Sequence, residues 1–346
     1  MKSSFIHRSL RSALVAAQIS LFSLFLVTSK RTIAGNLPDR NPIYLPPADL
    51  RQAASQTLES GPSASLDRAQ SLAQAGSFME AEIAVRQCLA QNASSAEAHF
   101  LLGYVLFKTA KPKDSLAEYT AGAKFKDPGA PELKVVALDY VLLEDYPDAE
   151  HWLKASIARN AQDVESWYYL GRAQYNENHF ADAQQSFEHC LSLDSHHVKA
   201  ETNLGLVFEA LRRTEEARAA YLLAISWQQA SSAKTAEPYI DLGNLLLGQN
   251  QNEQAVTYLL QAVEVSPDEV RARERLGTAY FRLNDWKNAQ LHLEKAETLA
   301  PNVAAIHYVL GQVYRKQGLT EKAQHEFVRA TELNAAHPVA PELVPH

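Results

Sequence analysis

Residues 167–190 read WYYLGRAQYNENHFADAQQSFEHC. Ala183 follows Gly171 by twelve residues, Phe187 comes four further on, and the next small residue is Cys190. The glycine of this stretch recurs along the chain: Gly103, Gly171, Gly205, Gly243, Gly277 and Gly311 are separated by 68, 34, 38, 34 and 34 residues. A period of 34 is that of a helix-turn-helix unit too small to bury its own apolar face, so each unit must stack on its neighbours. The 346 residues therefore predict one elongated array, in place of the two ordinary domains that length alone suggests.

Composition agrees with a folded chain. Hydrophobic residues make up 46% and charged residues 21%, too few charges for a disordered tail protein. Lys2, Arg8, Arg11, Lys30 and Arg31 stand without an acid in residues 1–34, so setting those five cations aside turns the formal net charge from −7 to −12. A chain this acidic lacks the net electrostatic footprint of a nucleic-acid binder.

Residues 1–34 read as a signal peptide or signal anchor. Basic residues precede an apolar run from Ala13 to Val27, and Thr32, Ile33 and Ala34 offer a cleavage site before Gly35. The uncharged stretch from Ser12 to Ser29 is 18 residues long, close to the roughly 20 that span a bilayer as a helix. Export to the periplasm or cell exterior and anchoring in an inner membrane through residues 12–29 both follow from this segment. Residues 35–61 hold Pro38, Pro42, Pro46 and Pro47 and read as a linker. The two cysteines, Cys88 and Cys190, fall three units apart, beyond bridging distance, and read as small core residues.

The residues that recur resemble tetratricopeptide repeats. Trp167, Leu170, Gly171, Ala183 and Phe187 match that family's spacing. So do Leu204, Gly205, Phe208, Ala217, Tyr221 and Ala224 in a fifth unit; Leu242, Gly243, Ala255, Ala262 and Pro267 in a sixth; Leu276, Gly277, Tyr280, Ala289, Ala296 and Pro301 in a seventh; and Leu310, Gly311, Tyr314, Gly318, Ala323, Phe327 and Ala330 in an eighth. Weaker copies upstream give a second unit with Leu102, Gly103, Tyr119 and Gly122, in which Ser115 replaces the usual alanine, a third with Ala137, Tyr140 and Ala149, and a first with Ala69, Ala81 and Cys88. The resemblance implies an all-α, right-handed α-solenoid superhelix of about eight helix-turn-helix repeats. Repeats one to five run over 62–231 and six to eight over 236–337, with an insertion at 232–235, where the stacking has a place to bend, and a Pro-rich tail at 338–346. No polar capping helix follows the last repeat.

No catalytic constellation stands out. His196 and His197 are adjacent and point about 100° apart on a helix. HExxH, CxxC, zinc-spaced Cys/His clusters and phosphate loops are absent, so neither catalytic nor metal residues are assigned and no cofactor is expected.

The resemblance implies instead a concave groove, lined by the first helix of each unit, that binds peptides. Spacings of three and four place Phe100, Tyr104 and Phe107 on that face in the second unit, with Tyr168, Arg172 and Tyr175 two units on. Aromatic residues of this kind make good anchors, although each has an alternative role in packing between helices. Further along, the face becomes mixed: Asn203, Asn244, Arg271, Arg275, Arg282, Tyr308 and Arg315. Arg271 and Arg275 lie one turn apart, spaced to clamp a carboxylate or phosphate, with Glu274, Glu237 and Asp241 nearby as alternative ion-pair partners. The Lys and Asn set with which some relatives hold acidic chaperone tails is not reproduced here, nor is the asparagine ladder of sugar-transferring relatives.

These readings predict a non-enzymatic protein-protein interaction scaffold of the cell envelope, with a protein or peptide partner and no nucleic acid. The alternative is a self-assembling element that pairs with another copy through its uncapped C-terminal end. A minor alternative is an enzyme with an unrecognised site in the groove.

Overall fold

A computed structural model describes residues 62–229 and 233–336. The signal or anchor segment, the linker and the Pro-rich tail lie outside the described residues, as does part of the insertion. Sixteen helices, and no strand among the described residues, form two compact units, Met1–Arg159 and Asn160–His346. The first unit contains α1 (Pro62–Gln74), α2 (Phe78–Gln91), α3 (Ala96–Lys108), α4 (Pro112–Gly122), α5 (Ala130–Leu142) and α6 (Tyr146–Arg159). The second contains α7 (Val164–Asn176), α8 (Phe180–Leu193), α9 (Val198–Ala210), α10 (Thr214–Gln228), α11 (Glu237–Gly248), α12 (Asn252–Val265), α13 (Val270–Arg282), α14 (Trp286–Leu299), α15 (Ala304–Lys316) and α16 (Thr320–Ala336). No helix of the described residues is long and apolar enough to cross a membrane.

Odd and even helices pair as hairpins, and the glycine period is the reason they can. Sixteen residues after each glycine, a large side chain of the second helix lies against the glycine's bare Cα: Tyr119 on Gly103, Phe187 on Gly171, Tyr221 on Gly205, Leu259 on Gly243, Leu293 on Gly277 and Phe327 on Gly311. Twelve residues after the glycine, Ala183, Ala217, Ala255 and Ala289 are fully buried where the two helices meet. Small residues permit the close approach and large ones fill the space beside it, as dense packing requires. Cys88 and Cys190 are buried and unbridged, and burial pushes the Cys190 thiol up to about 12.

The turn inside each hairpin has one residue in the left-handed region. It is Gly76, Ala110, Glu144, Asn178, Arg212, Asn250, Asn284 or Gly318, seven residues after the glycine register. The chain closes there with a bond such as Lys111 N–H to Leu106 O at 2.9 Å, which satisfies an end carbonyl of the first helix.

A second fastening closes the turn between hairpins. Four residues before the register position, His99, Trp167, Arg273 and His307 bond the carbonyl six residues upstream, at 3.1, 2.9, 2.5 and 2.9 Å. In the fifth repeat this position is Glu201, buried, with its carboxyl pushed up to about 7 by loss of solvent. An ionised carboxylate offers no proton to a carbonyl. The folded chain therefore holds Glu201 protonated to a higher pH than the unfolded chain does, so stability falls as pH rises from the ordinary glutamate value through about 7. Glu201→Gln puts an uncharged side chain of the same shape in this buried place and is expected to add about 1–2 kcal/mol at pH 8 and little at pH 4, read from denaturation midpoints at the two pH values.

The long connection from α10 to α11 lies inside the second unit. Its ends are tied by the buried Gln228, whose amide donates to Thr235 O at 3.0 Å and accepts from Thr235 N–H at 2.9 Å. The α10 and α11 helices pack together, and the division into compact units falls after Arg159.

Candidate functional site

In the second unit each first helix packs on the next first helix as well as on its own partner: α7 on α9, α9 on α11, α11 on α13 and α13 on α15. Packing between successive second helices is at most marginal. The first helices are thus the inner, closely spaced layer and the second helices the outer one.

Six of the residues expected on this inner face divide between the units, three in each. Phe100 and Tyr168, expected there either as anchors or as packing between helices, are core residues. Each is 8% exposed. Phe100 stacks on Tyr119 with centroids 5.9 Å apart, and Tyr168 packs against Tyr169, Phe187 and His197 at 5.1, 6.1 and 5.1 Å. Both stand three residues before the register glycine, where the first helix of the next repeat closes over the face. In the last repeat the same position is Tyr308, and it is 55% exposed.

Tyr104 and Phe107 are half-buried, with Phe78 edge-on to Tyr104 at 6.5 Å and the Lys108 ammonium near both rings. Tyr175 is half-buried against Phe180, and Arg172 places its guanidinium 5.8 Å from the Tyr168 ring. Asn203 is tied to its own helix through Lys199 O at 2.8 Å, and Asn244 is half-buried with its Oδ1 unpartnered.

The arginines of α13 stand on a floor of acids. Arg271 bonds Asp241 Oδ1 at 3.0 Å, its side chain 60% exposed above a carboxylate that is 7% exposed. Burial pushes Asp241 up to about 6 against the pull of Arg271. Arg275 pairs with the largely covered Glu274 at 3.1 Å, and burial raises Glu274 as well. Arg282 reaches back to cap α11 at Leu247 O, 2.6 Å away. The exposed Lys316 of α15 extends this row of cations to the adjacent inner helix, while Arg315 beside it turns to the Phe327 ring of α16, 5.6 Å away. The alternative ion-pair partners are thus real, yet they leave the outer side of Arg271 and Arg275 in solvent. A buried acid beneath an arginine fixes its position and lowers the entropy lost when it grips a ligand.

Sequence reasoning missed one further group on these helices. Glu209 of α9 accepts from the Tyr221 hydroxyl and is raised by burial; a lone glutamate in a first helix gave no sign that a tyrosine twelve residues later would meet it.

Comparison with known proteins reaches the same family. Models of the tetratricopeptide repeat match residues 66–131, 240–304 and 275–341, residues 198–268 and residues 164–197. Part of the chain is 28% identical over 193 residues to the human protein O-mannosyl-transferase TMTC3, covering 52% of this chain and 21% of that protein. The chain thus spans about a fifth of the length of that relative. Among solved structures, a tetratricopeptide repeat protein from Parabacteroides merdae superposes with a TM-score of 0.60 at 16% identity, covering 73% of this chain and 98% of the other. PilF of Pseudomonas aeruginosa does so with a TM-score of 0.51 at 20% identity, covering 62% and 95%. Hairpins fastened glycine to large side chain, a 34-residue register and matches to the family models over residues 66–131 and 164–341 make the chain a tetratricopeptide repeat protein, built on the fold of a protein-protein interaction scaffold.

Proposed function

We propose that the inner face of the second unit holds a carboxylate-bearing segment of a partner protein. The observation that carries this reading is the cation row on α13 and α15, with Arg271 and Arg275 fixed from below by Asp241 and Glu274. Aromatic packing serves as the frame of this face, and the arginines supply the recognition. The basic, apolar character of residues 1–34 supports placement at the cell envelope, with the array outside the cytoplasm.

The test is capture from solubilised envelopes with the wild-type chain and with Arg315→Glu/Lys316→Glu, two exposed positions of α15 whose reversal leaves the buried acids paired and the α11 cap of Arg282 in place. A partner retained by the wild type at low salt, and weakened at least tenfold by the reversal, is the expected result. Equal retention by both sinks the proposed face. A second reading is favoured by Tyr308 and Val328, 55% and 46% exposed in the last repeat, where a second copy would cover them. Light scattering that shows a dimer, with nothing captured but the chain itself, would favour that reading instead.

A further inference from the structure

Two repeats carry the same pair of side chains. His99 Nδ1 lies 2.7 Å from Glu118 Oε2, and His307 Nδ1 lies 2.6 Å from Glu326 Oε2. In both, the other ring nitrogen meets the turn carbonyl, Ala93 O or Pro301 O. The pair in the second repeat shows what the fold itself requires: an imidazole that fastens the turn and is steadied by a glutamate of the second helix.

The pair in the eighth repeat has more than that. Glu297 of α14, in the preceding repeat, brings Oε1 to 3.9 Å from His307 Nδ1, and His325 Nδ1 lies 3.0 Å from the other oxygen of Glu326. Counted from Gly103, the corresponding positions of the second repeat hold Leu89 and Ala117. Structural need therefore does not account for the added carboxylate and imidazole. His307 and Glu326 are 3% and 6% exposed, and one ligand atom from each of Glu297, His307 and Glu326 falls within 4.8 Å of the others.

The backbone bond fixes the chemistry of His307. With Nε2–H donated to Pro301 O, Nδ1 is left to face two carboxylates. That is the arrangement by which metal-ligating histidines are oriented, the distal N–H held by a carbonyl and the near nitrogen turned to the ion. The separations of 2.6 and 3.9 Å bracket the roughly 3.3 Å between ligands set about 2.0 Å from one ion at tetrahedral angles.

We propose that His307, Glu326 and Glu297 bind a divalent transition-metal ion of the zinc class, with water in the fourth position, and that the ion ties the seventh repeat to the eighth. Binding puts two positive charges among three carboxylates, those of Glu297, Glu326 and the neighbouring Glu294. An imidazole with carboxylates suits zinc or cobalt better than calcium or magnesium, which take all-oxygen sites.

The test uses the full chain, stripped with chelator and titrated with Co2+ and then Zn2+. The expected result is one equivalent of Co2+ with visible d–d absorption, displaced by Zn2+, and a melting temperature raised by Zn2+. Because His307 also fastens its turn, Glu297→Gln is the informative variant. It leaves the pair with Glu326 intact, and its metal-free melting temperature should match the wild type. Its Zn2+ affinity should fall at least tenfold, and the Zn2+-induced shift should vanish. Glu118→Gln, in the second repeat, should leave the titration unchanged. No binding at micromolar Zn2+, or equal binding in Glu297→Gln, overturns the proposal and returns the cluster to the fastening role that His99 and Glu118 fill.

Discussion

Replacing Asp139 by valine is expected to raise the stability of the first unit by about 2–4 kcal/mol at pH 7, although it removes a hydrogen-bonded side chain. Asp139 is fully buried, and loss of solvent pushes its carboxyl up to about 8. Its Oδ2 lies 2.5 Å from Ser115 Oγ, which is itself 2.8 Å from Gly103 O, and its Oδ1 has no partner. One hydroxyl proton cannot serve both acceptors. A protonated Asp139 resolves this by donating to Ser115, which then donates to Gly103.

The cost of holding that proton sets the pH dependence. Between the ordinary aspartate value, near 3.8, and about 8 the folded chain binds one proton more than the unfolded chain, so stability declines as pH rises across that window. The slope is at most about 1.4 kcal/mol per pH unit. Valine abolishes it. Two residues after the register position, the second repeat and the fourth to eighth place Val105, Ala173, Val207, Leu245, Ala279 and Val313, so the pocket accepts an apolar side chain of this size. Ser115→Ala alone removes the only partner of the carboxyl and should cost about 1–3 kcal/mol, while in the Asp139→Val background it should cost close to nothing. Chemical denaturation of the four proteins from pH 5 to 8 completes the cycle. A pH slope that persists in Asp139→Val would remove Asp139 as its source.

Gly171→Ala is expected to destabilise the second unit by about 2 kcal/mol. Two effects oppose each other. Alanine gains about 1 kcal/mol of helix propensity over glycine. The new methyl, however, would meet Cε1, Cδ1 and Cζ of Phe187 at 2.7, 2.8 and 2.9 Å. Phe187 is fully buried in the core cluster that runs from Tyr168 to Ala279, so its ring cannot swing away without displacing its neighbours. Overpacking of this kind costs about 1–3 kcal/mol or more, and it prevails. Gly76→Ala and Gly248→Ala are useful contrasts, since no atom crowds either position; Gly248 has ordinary backbone angles, whereas Gly76 carries φ +79 and stays strained. A higher denaturation midpoint for Gly171→Ala would show that propensity outweighs packing here.

The sequence shows the hairpins because the same physical demand recurs every 34 residues, and a demand repeated is visible where a single instance is not. The glycine, the alanine twelve residues on and the ring or leucine sixteen residues on are legible together. The left-handed turn residues are legible where they are Asn178, Asn250 or Asn284, and hidden where they are Ala110, Glu144 or Arg212, since those side chains carry no preference for positive φ. Exposure on the inner face is less legible. Phe100, Tyr168 and Tyr308 share one register, and only the last is open. Helical spacing gives the direction of a side chain but not whether the neighbouring helix covers it. Ser115 in an alanine position was a visible departure. Its partner Asp139 lies 24 residues on, in another repeat, and no local pattern announces it.

Contact between first helices, without comparable contact between second helices, also gives the second unit an unequal mechanical response. Tighter curling presses together side chains that already touch, and close-packed interiors resist compression. Straightening has instead to draw each first helix away from the next first helix and from the second helix packed between them. The cations on α13 and α15 would then move apart, so a pull along the chain would be felt at the face proposed to hold a partner.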